Sequence, residues 1–158
     1  MPDHSALEGG ELETWAALAT LLEWLPPALD AQLQRDADLS HFEYGILFAL
    51  AGAPRGTLRM SVLAGYANSS LSRLSRAATR LEARGWVRRA TDPGDGRYTL
   101  AILTDEGRER CALATPGHAD TVRRLVLDAL TPSQARQLRE ISGRITRAIR
   151  PDDGWSTR

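Results

Sequence analysis

The run DPGDG at residues 92–96 restricts the fold of this chain more than any other feature of its sequence. Asp, Pro and Gly at this density are typical of a tight turn. On either side, residues 86–90 and 98–103 carry the β-branched and aromatic side chains of short strands, so the three pieces predict a β-hairpin. The rest of the chain shows helical patterns, and the predicted fold class is therefore mainly α with one small hairpin.

Two predicted helices immediately precede the hairpin. Ser61 is a candidate cap for a short helix that ends near residue 67, and residues 68–70 read as a turn with a new cap. A longer helix then runs to Gly85, a glycine suited to the C′ position that ends a helix. A helix-turn-helix followed directly by a hairpin is a winged helix-turn-helix, and we predict this unit for residues 55–103.

Further helices are predicted on both sides of the winged helix. Apolar residues recur at steps of three or four between 11 and 34, although the two prolines at 26–27 are expected to kink or interrupt that helix. A second helix begins at Ser40, and after the hairpin one helix begins at Thr104 and another covers 131–151. The chain therefore has about six helices.

The outer helices have apolar stripes without enough partners inside the chain. A two-fold homodimer would bury these stripes against their own copies. We therefore interpret residues 1–158 as a single domain, in which 11–54 and 104–150 are dimerisation helices and 55–103 are the winged helix-turn-helix lobe.

Charge is segregated along the chain although its net value is zero. Residues 1–54 carry nine acidic side chains and one arginine, whereas residues 55–97 carry nine arginines and three acidic side chains. Such a distribution lets one part of a molecule face a polyanion while the rest is repelled. A solvated basic face without a partner is the alternative.

The predicted helix of residues 69–84 has an apolar face and a basic face on a helical wheel. Four side chains are expected to face the core: Leu71, Leu74, Ala78 and Leu81. The opposite side carries Ser69, Ser72, Arg73, Arg76 and Arg80. Guanidinium groups can bond guanine edges or phosphates, and short hydroxyls bond without filling the groove, so this face suits the major groove of DNA. It also fits a surface helix whose basic face is solvated.

Basic residues of the hairpin extend this surface. Arg97 follows the turn, and Arg88 and Arg89 lie on the opposite strand. A hairpin tip at this place would reach a minor groove that attracts arginine. Asp95 is expected to hold Arg97 or the turn, and the alternative is that Arg97 only closes a local ion pair. The complete DNA-binding prediction, with the turn residue included, is Ser69, Ser70, Ser72, Arg73, Arg76, Arg80, Arg88 and Arg97.

Several runs resemble the MarR family of bacterial regulators, and the resemblance covers nearly the whole chain. These runs are RMSVLA (59–64), NSSLSRLSR (68–76), TRLEARGWVRR (79–89), DGR (95–97) and LTDEG (103–107). The resemblance implies a triangular homodimer held by the first and last two helices, with operator contacts from the recognition helix and the wing-tip arginine. Two-fold symmetry then predicts half-sites about 10 bp apart in a pseudo-palindromic, double-stranded operator. Tyr98 departs from the Ser or Thr usual there, so the wing is expected to differ in conformation or reach.

The resemblance also implies that a small ligand, frequently an aromatic acid, binds between the dimer helices and the DNA-binding lobe and releases the DNA. Trp15, His41, Tyr44 and His118 are the candidate pocket residues, since they are polar-tipped rings on the relevant helices. Packing in the core is the alternative for each ring.

Other function classes find little support in the sequence. Without a Gly-rich phosphate loop, nucleophile motif or metal-ligand cluster, we expect no enzyme, no cofactor and no metal. The single cysteine, Cys111, is interpreted as packed rather than redox-sensing and fits a cytoplasmic protein, and no apolar run is long enough to span a membrane. We predict a DNA-binding transcriptional regulator, a repressor of neighbouring genes relieved by a ligand. The alternative is a winged-helix protein–protein interaction module without DNA binding.

Overall fold

The computed structural model of the protein describes residues 6–149. Within them, six α-helices and three strands follow in the order α1 (Gly9–Ala37), α2 (His41–Gly52), β1 (Thr57–Arg59), α3 (Met60–Tyr66), α4 (Leu71–Ala83), β2 (Val87–Thr91), β3 (Thr99–Leu103), α5 (Asp105–Val122) and α6 (Pro132–Ile149). A π-helical segment, Arg123–Leu127, continues α5. The predicted winged helix with about six helices is confirmed.

The wing belongs to a three-stranded antiparallel sheet in the order β1-β3-β2. The hairpin of β2 and β3 was predicted, with Val87 opposite Leu103 at its base. The third strand, β1, was missed because three residues are too few to show an alternating pattern. Its last residue, Arg59, pairs with Leu100 of β3, so β1 ties the wing to the start of α3.

Helix α1 corrects one expectation. Of the two expected effects, a kink or an interruption, the interruption does not occur, because the helix continues through Pro26 and Pro27. The proline pair removes two backbone donors, but the turns that follow are held by packing of α1 against α2 and α5. Leu29 and Leu33 are buried one and two turns beyond the prolines.

Helix starts are mostly where the side-chain chemistry predicts them. Ser40 and Glu43 form a reciprocal capping box on α2, worth about 1 kcal/mol in similar helices. Thr104 caps α5 by accepting a hydrogen bond from the Gly107 amide. Ser61 is not a cap, since α3 begins at Met60 directly after β1; pairing of β1 with β3 sets that boundary.

One continuous core joins α2 to the winged helix lobe. Ile46, Leu47 and Leu50 of α2 are almost fully buried in the same cluster as Leu74 and Leu81 of α4. The sheet contributes Val87, Ala101 and Leu103 to this cluster. Helix α2 is therefore a structural part of the lobe that presents α4.

The outer helices leave apolar side chains uncovered. Helix α6 has no buried residue within its bounds, although its apolar residues repeat along one face. The exposed apolar side chains on α1, α5 with its π-helical extension, and α6 include Leu12, Trp15, Leu22, Trp24, Leu113, Leu125, Leu138, Ile141, Ile145 and Ile149. None of the described helices is both long and apolar enough to cross a membrane.

Candidate nucleic-acid interface

Helix α4 separates a buried face from an arginine-rich face. Leu74, Ala77, Ala78 and Leu81 are buried. Leu71, which we expected to face the core, is 56% exposed, and that prediction is wrong. Leu71 is the first residue of α4, a full turn before the first buried leucine, and the core does not extend that far.

The serines before α4 are committed to the turn. The Ser70 hydroxyl caps the helix by accepting from the Arg73 amide. The Ser69 hydroxyl donates to the Ser70 carbonyl at 3.1 Å, and the Ser69 amide bonds the Ala64 carbonyl of α3. These bonds fix the angle at which α4 leaves α3, while Ser72, in the first turn of α4, is exposed.

Three arginines stand on the exposed side of α4 in different surroundings. The Arg73 guanidinium lies 4.3 Å from the ring centre of Phe42 in α2. Arg80 donates from Nε to Glu43 at 2.8 Å, yet 58% of its side chain stays exposed. Arg76, between them, has no side-chain partner among the described residues. Helix α2 therefore orients two of these arginines and leaves the third free.

An arginine that was not in the predicted site fastens α4 to the wing. Arg89 of β2 bonds both carboxylate oxygens of Glu82 and also reaches Ser75 and Thr79. These hydrogen bonds hold the pKa of the Glu82 carboxyl below its usual value. The recognition helix and the wing are thus joined directly, while the neighbouring Arg88 is exposed.

The wing tip presents one arginine on a carboxylate support. Arg97 donates from Nε and Nη2 to Asp95, whose oxygen also accepts from the Arg97 amide. The Arg97 side chain remains 83% exposed. Hydrogen bonding to Arg97 lowers the pKa of Asp95 and in turn raises the pKa of Arg97. The ion pair fixes the direction of the guanidinium without covering it.

The base of the wing has a second anchor that sequence reasoning missed. Asp92 accepts from Arg59 Nε at 2.7 Å and from the Gly94 amide at 2.8 Å. The Arg59 guanidinium also lies 4.1 Å from the ring centre of Tyr98. No local pattern pairs Arg59 with Asp92, because they are 33 residues apart and meet only when β1 joins the sheet.

A cleft of about 970 Å³ opens between α1, the start of α2, α4 and α5. It brings together three of the four predicted pocket residues, His41, Tyr44 and His118. Trp15 does not line it, since Trp15 precedes Pro26 by eleven residues, about 16 Å along α1. Arg73 and Arg80 also line the cleft, so the cleft and the exposed face of α4 share two cations.

Hydrogen bonds fix the protonation of His118. The Gln32 amide nitrogen donates to Asp36 at 3.0 Å, which turns the Gln32 oxygen toward Nδ1 of His118 at 3.3 Å. Nδ1 therefore donates, and Nε2 is an acceptor. Burial first, and then the nearby His41, lowers the pKa of His118, while burial outweighs Asp30 in lowering the pKa of His41. Both shifts favour the neutral form of the imidazole.

Comparison with known proteins shows the family to which this chain belongs. A sequence model of the MarR family matches residues 37–97. The structure of Sco3205, a MarR family transcriptional regulator from Streptomyces coelicolor in complex with DNA, is 46% identical with a TM-score of 0.90, over 93% of this chain and 96% of that one. The chain belongs to the MarR family.

A second solved structure supports membership of the MarR family, and a third shares the fold. AbsC, a MarR family regulator from Streptomyces coelicolor, is 31% identical with a TM-score of 0.88, over 93% of this chain and 99% of that one. BldR from Sulfolobus solfataricus has 24% identity and a TM-score of 0.73, over 84% and 94% of the two chains, and it shows likeness of fold alone. No protein of curated function matches the sequence.

The match to the MarR family model runs from the end of α1 to Arg97. It therefore includes α2, whose Phe42 and Glu43 orient two arginines of α4. Cys111 of α5 lies outside that match and is buried, in keeping with the packing interpretation. Burial raises the pKa of its thiol, which disfavours the reactive thiolate.

Proposed function

We propose that this MarR family member binds double-stranded DNA as a homodimer and regulates transcription. The observation that carries the proposal is the presentation of Arg76 and Arg97, two exposed guanidinium groups, on elements that Arg89 holds together. Helix α4 would lie in the major groove, and the wing would reach the adjacent minor groove. The complex of Sco3205 with DNA supports this use of the shared fold.

The dimer is proposed from the uncovered apolar residues of the outer helices. Within residues 11–54 and 104–150, helices α1, α5 and α6 would supply the dimer interface, whereas α2 shares the core of the DNA-binding lobe of residues 55–103; residue 150 lies outside the described part of the chain. Exposed Trp24 and Ile141 exemplify the surface that a second copy would cover. Symmetry would then set two recognition helices about one DNA turn, roughly 10 bp, apart.

Salt dependence of binding to the DNA upstream of the chain's own gene tests this function. We expect log affinity to fall linearly with log salt, with a slope of about −0.9 for each phosphate neutralised, because bound counterions are released. Fluorescence anisotropy with a labelled duplex measures the slope. Specific binding should exceed binding to a shuffled duplex of equal length. If the protein does not bind duplex DNA but forms a protein complex that is insensitive to salt, it is instead an interaction module.

We further propose repression of neighbouring genes, relieved by a small acid bound in the cleft. Arg73 and Arg80 offer positive charge there, His118 offers an acceptor nitrogen, and Phe42 and Tyr44 offer aromatic faces. An aromatic acid that carries a hydroxyl group matches this set. Such a regulator acts on the chromosome, and we therefore assign it to the cytoplasm.

Reciprocal coupling tests the ligand proposal. We expect hydroxybenzoic acids, titrated into the protein–operator complex, to weaken operator binding by at least about fivefold. The same acid should bind the free protein more tightly than the complex by the same factor, since linkage is reciprocal. His118→Ala is the matched variant. It is expected to lower the affinity for the acid and to leave operator affinity unchanged when no acid is present. If the acid binds equally well with and without operator, it does not relieve DNA binding, and the ligand proposal fails while the DNA-binding proposal stands.

A further inference from the structure

We infer that Tyr98 is a positioning residue for Arg97, acting through the face of its ring and through Arg59. The inference rests on the proposed function, in which Arg97 contacts the DNA.

The ring of Tyr98 closes one side of an arginine site at the base of the wing. The Arg59 guanidinium stands 4.1 Å from the ring centre, while its Nε bonds Asp92 at 2.7 Å. A guanidinium at this distance from an aromatic face is attracted by the ring quadrupole. The cation is therefore held between a carboxylate and a π face.

Arg59 is itself a fixed point of the lobe. It is the last residue of β1, paired with Leu100 of β3, and it immediately precedes α3. Its partner Asp92 has only 12% of its side chain exposed. The ring of Tyr98 is thus fastened to the element that leads into the helix-turn-helix.

Tyr98 also shapes the turn that carries Arg97. Its amide donates to the Asp95 carbonyl at 3.0 Å, and its carbonyl accepts from the Asp92 amide at 2.9 Å. The Arg97 guanidinium lies 5.9 Å from the same ring. Asp95 sets the direction of Arg97 from one side, and Tyr98 anchors the turn from the other.

The ring face, rather than the hydroxyl, carries this role. Among the described residues the Tyr98 hydroxyl has no hydrogen-bond partner. A phenylalanine would keep the cation–π contact, whereas a serine would keep the backbone bonds and lose the ring. The serine variant should leave the wing less restrained, so that DNA binding must order it.

The test is a double-mutant cycle on operator affinity. We expect Tyr98→Ser to weaken binding about threefold to fivefold, the size of one exposed cation–π contact, and Tyr98→Phe to bind like wild type. In an Arg97→Ala background, Tyr98→Ser should cause no further loss. The preference for A/T-rich over G/C-rich DNA beside the recognition-helix site should also fall in Tyr98→Ser, because a narrow minor groove attracts arginine.

Several outcomes would overturn the inference. An equal loss with and without Arg97 would mean that Tyr98 acts on the whole lobe, and a loss in Tyr98→Phe would assign the effect to the hydroxyl. If Tyr98→Ser does not melt like wild type, Tyr98→Leu replaces it, since leucine keeps apolar bulk without a π face and should show the same cycle. A wild-type protein that does not bind duplex DNA would overturn the proposed function as well.

Discussion

Replacement of Arg76 by alanine is expected to lower operator affinity by about tenfold to a hundredfold, the range for losing an arginine that reads a base. Arg76 is the arginine of α4 that no described side chain holds. It is exposed on the side opposite Leu74 and Leu81. No internal ion pair has to be broken before Arg76 bonds DNA. The substitution should therefore destabilise the complex and leave the free protein unchanged.

The comparison of operator with random DNA assigns the role of Arg76. Loss on the operator alone means that Arg76 reads a base, and equal loss on both duplexes means that it bonds phosphate. Arg136→Ala is the matched control, because Arg136 is exposed on α6, on the side away from its apolar face. An Arg76→Ala protein with wild-type affinity on both duplexes would contradict this assignment of α4.

Arg73 and Arg80 differ from Arg76 because their side chains already have partners in the protein without DNA. Their contacts with Phe42 and Glu43 exist without DNA and restrict the directions in which the guanidinium groups can point. Both also line the cleft. An acid that pairs with either arginine would reduce the positive charge available to DNA. This is a direct way in which a ligand in the cleft could weaken operator binding.

Patterns within one element predicted most of what the structure contains. The hydroxyl of Ser70 marks the start of α4, and Gly85 with a φ of 74° marks its end. The turn residues around Asp95 predicted the wing. These features follow from local backbone chemistry, and sequence alone is sufficient to recognise them.

Contacts between different elements could not be predicted from patterns within one element. Glu43 and Arg80 are 37 residues apart, and periodicity tells which face of a helix is apolar but not which neighbour lies beside its polar flank. Leu71 shows the converse limit, since it fits the apolar sector of α4 yet lies beyond the end of the core. Trp15 lies on the predicted helix but too far along it to reach the cleft.

Replacement of Ile141 by glutamate is expected to convert the proposed dimer into a monomer and to weaken operator binding by about a hundredfold or more. Ile141 is 54% exposed on the apolar face of α6, and burying an unpaired carboxylate in an interface is strongly unfavourable. Two linked half-site contacts gain a factor on the order of 10² to 10⁴ over one, and a monomer loses that gain. Sedimentation equilibrium measures the mass, and anisotropy measures the affinity.

A half-site duplex separates the loss of the dimer from damage to the DNA-binding lobe. Binding of the glutamate variant to a single half-site should match that of one wild-type lobe, because α4 and the wing lie on other elements. Arg136→Glu places the same charge on α6 about half a turn from its apolar face and should remain dimeric. If the Ile141→Glu protein keeps a dimeric mass, or if wild type is already monomeric at the concentrations that bind DNA, then α6 does not form the interface. The exposed side chains of α6 would then need another explanation, since a single described protomer leaves its whole apolar face in water.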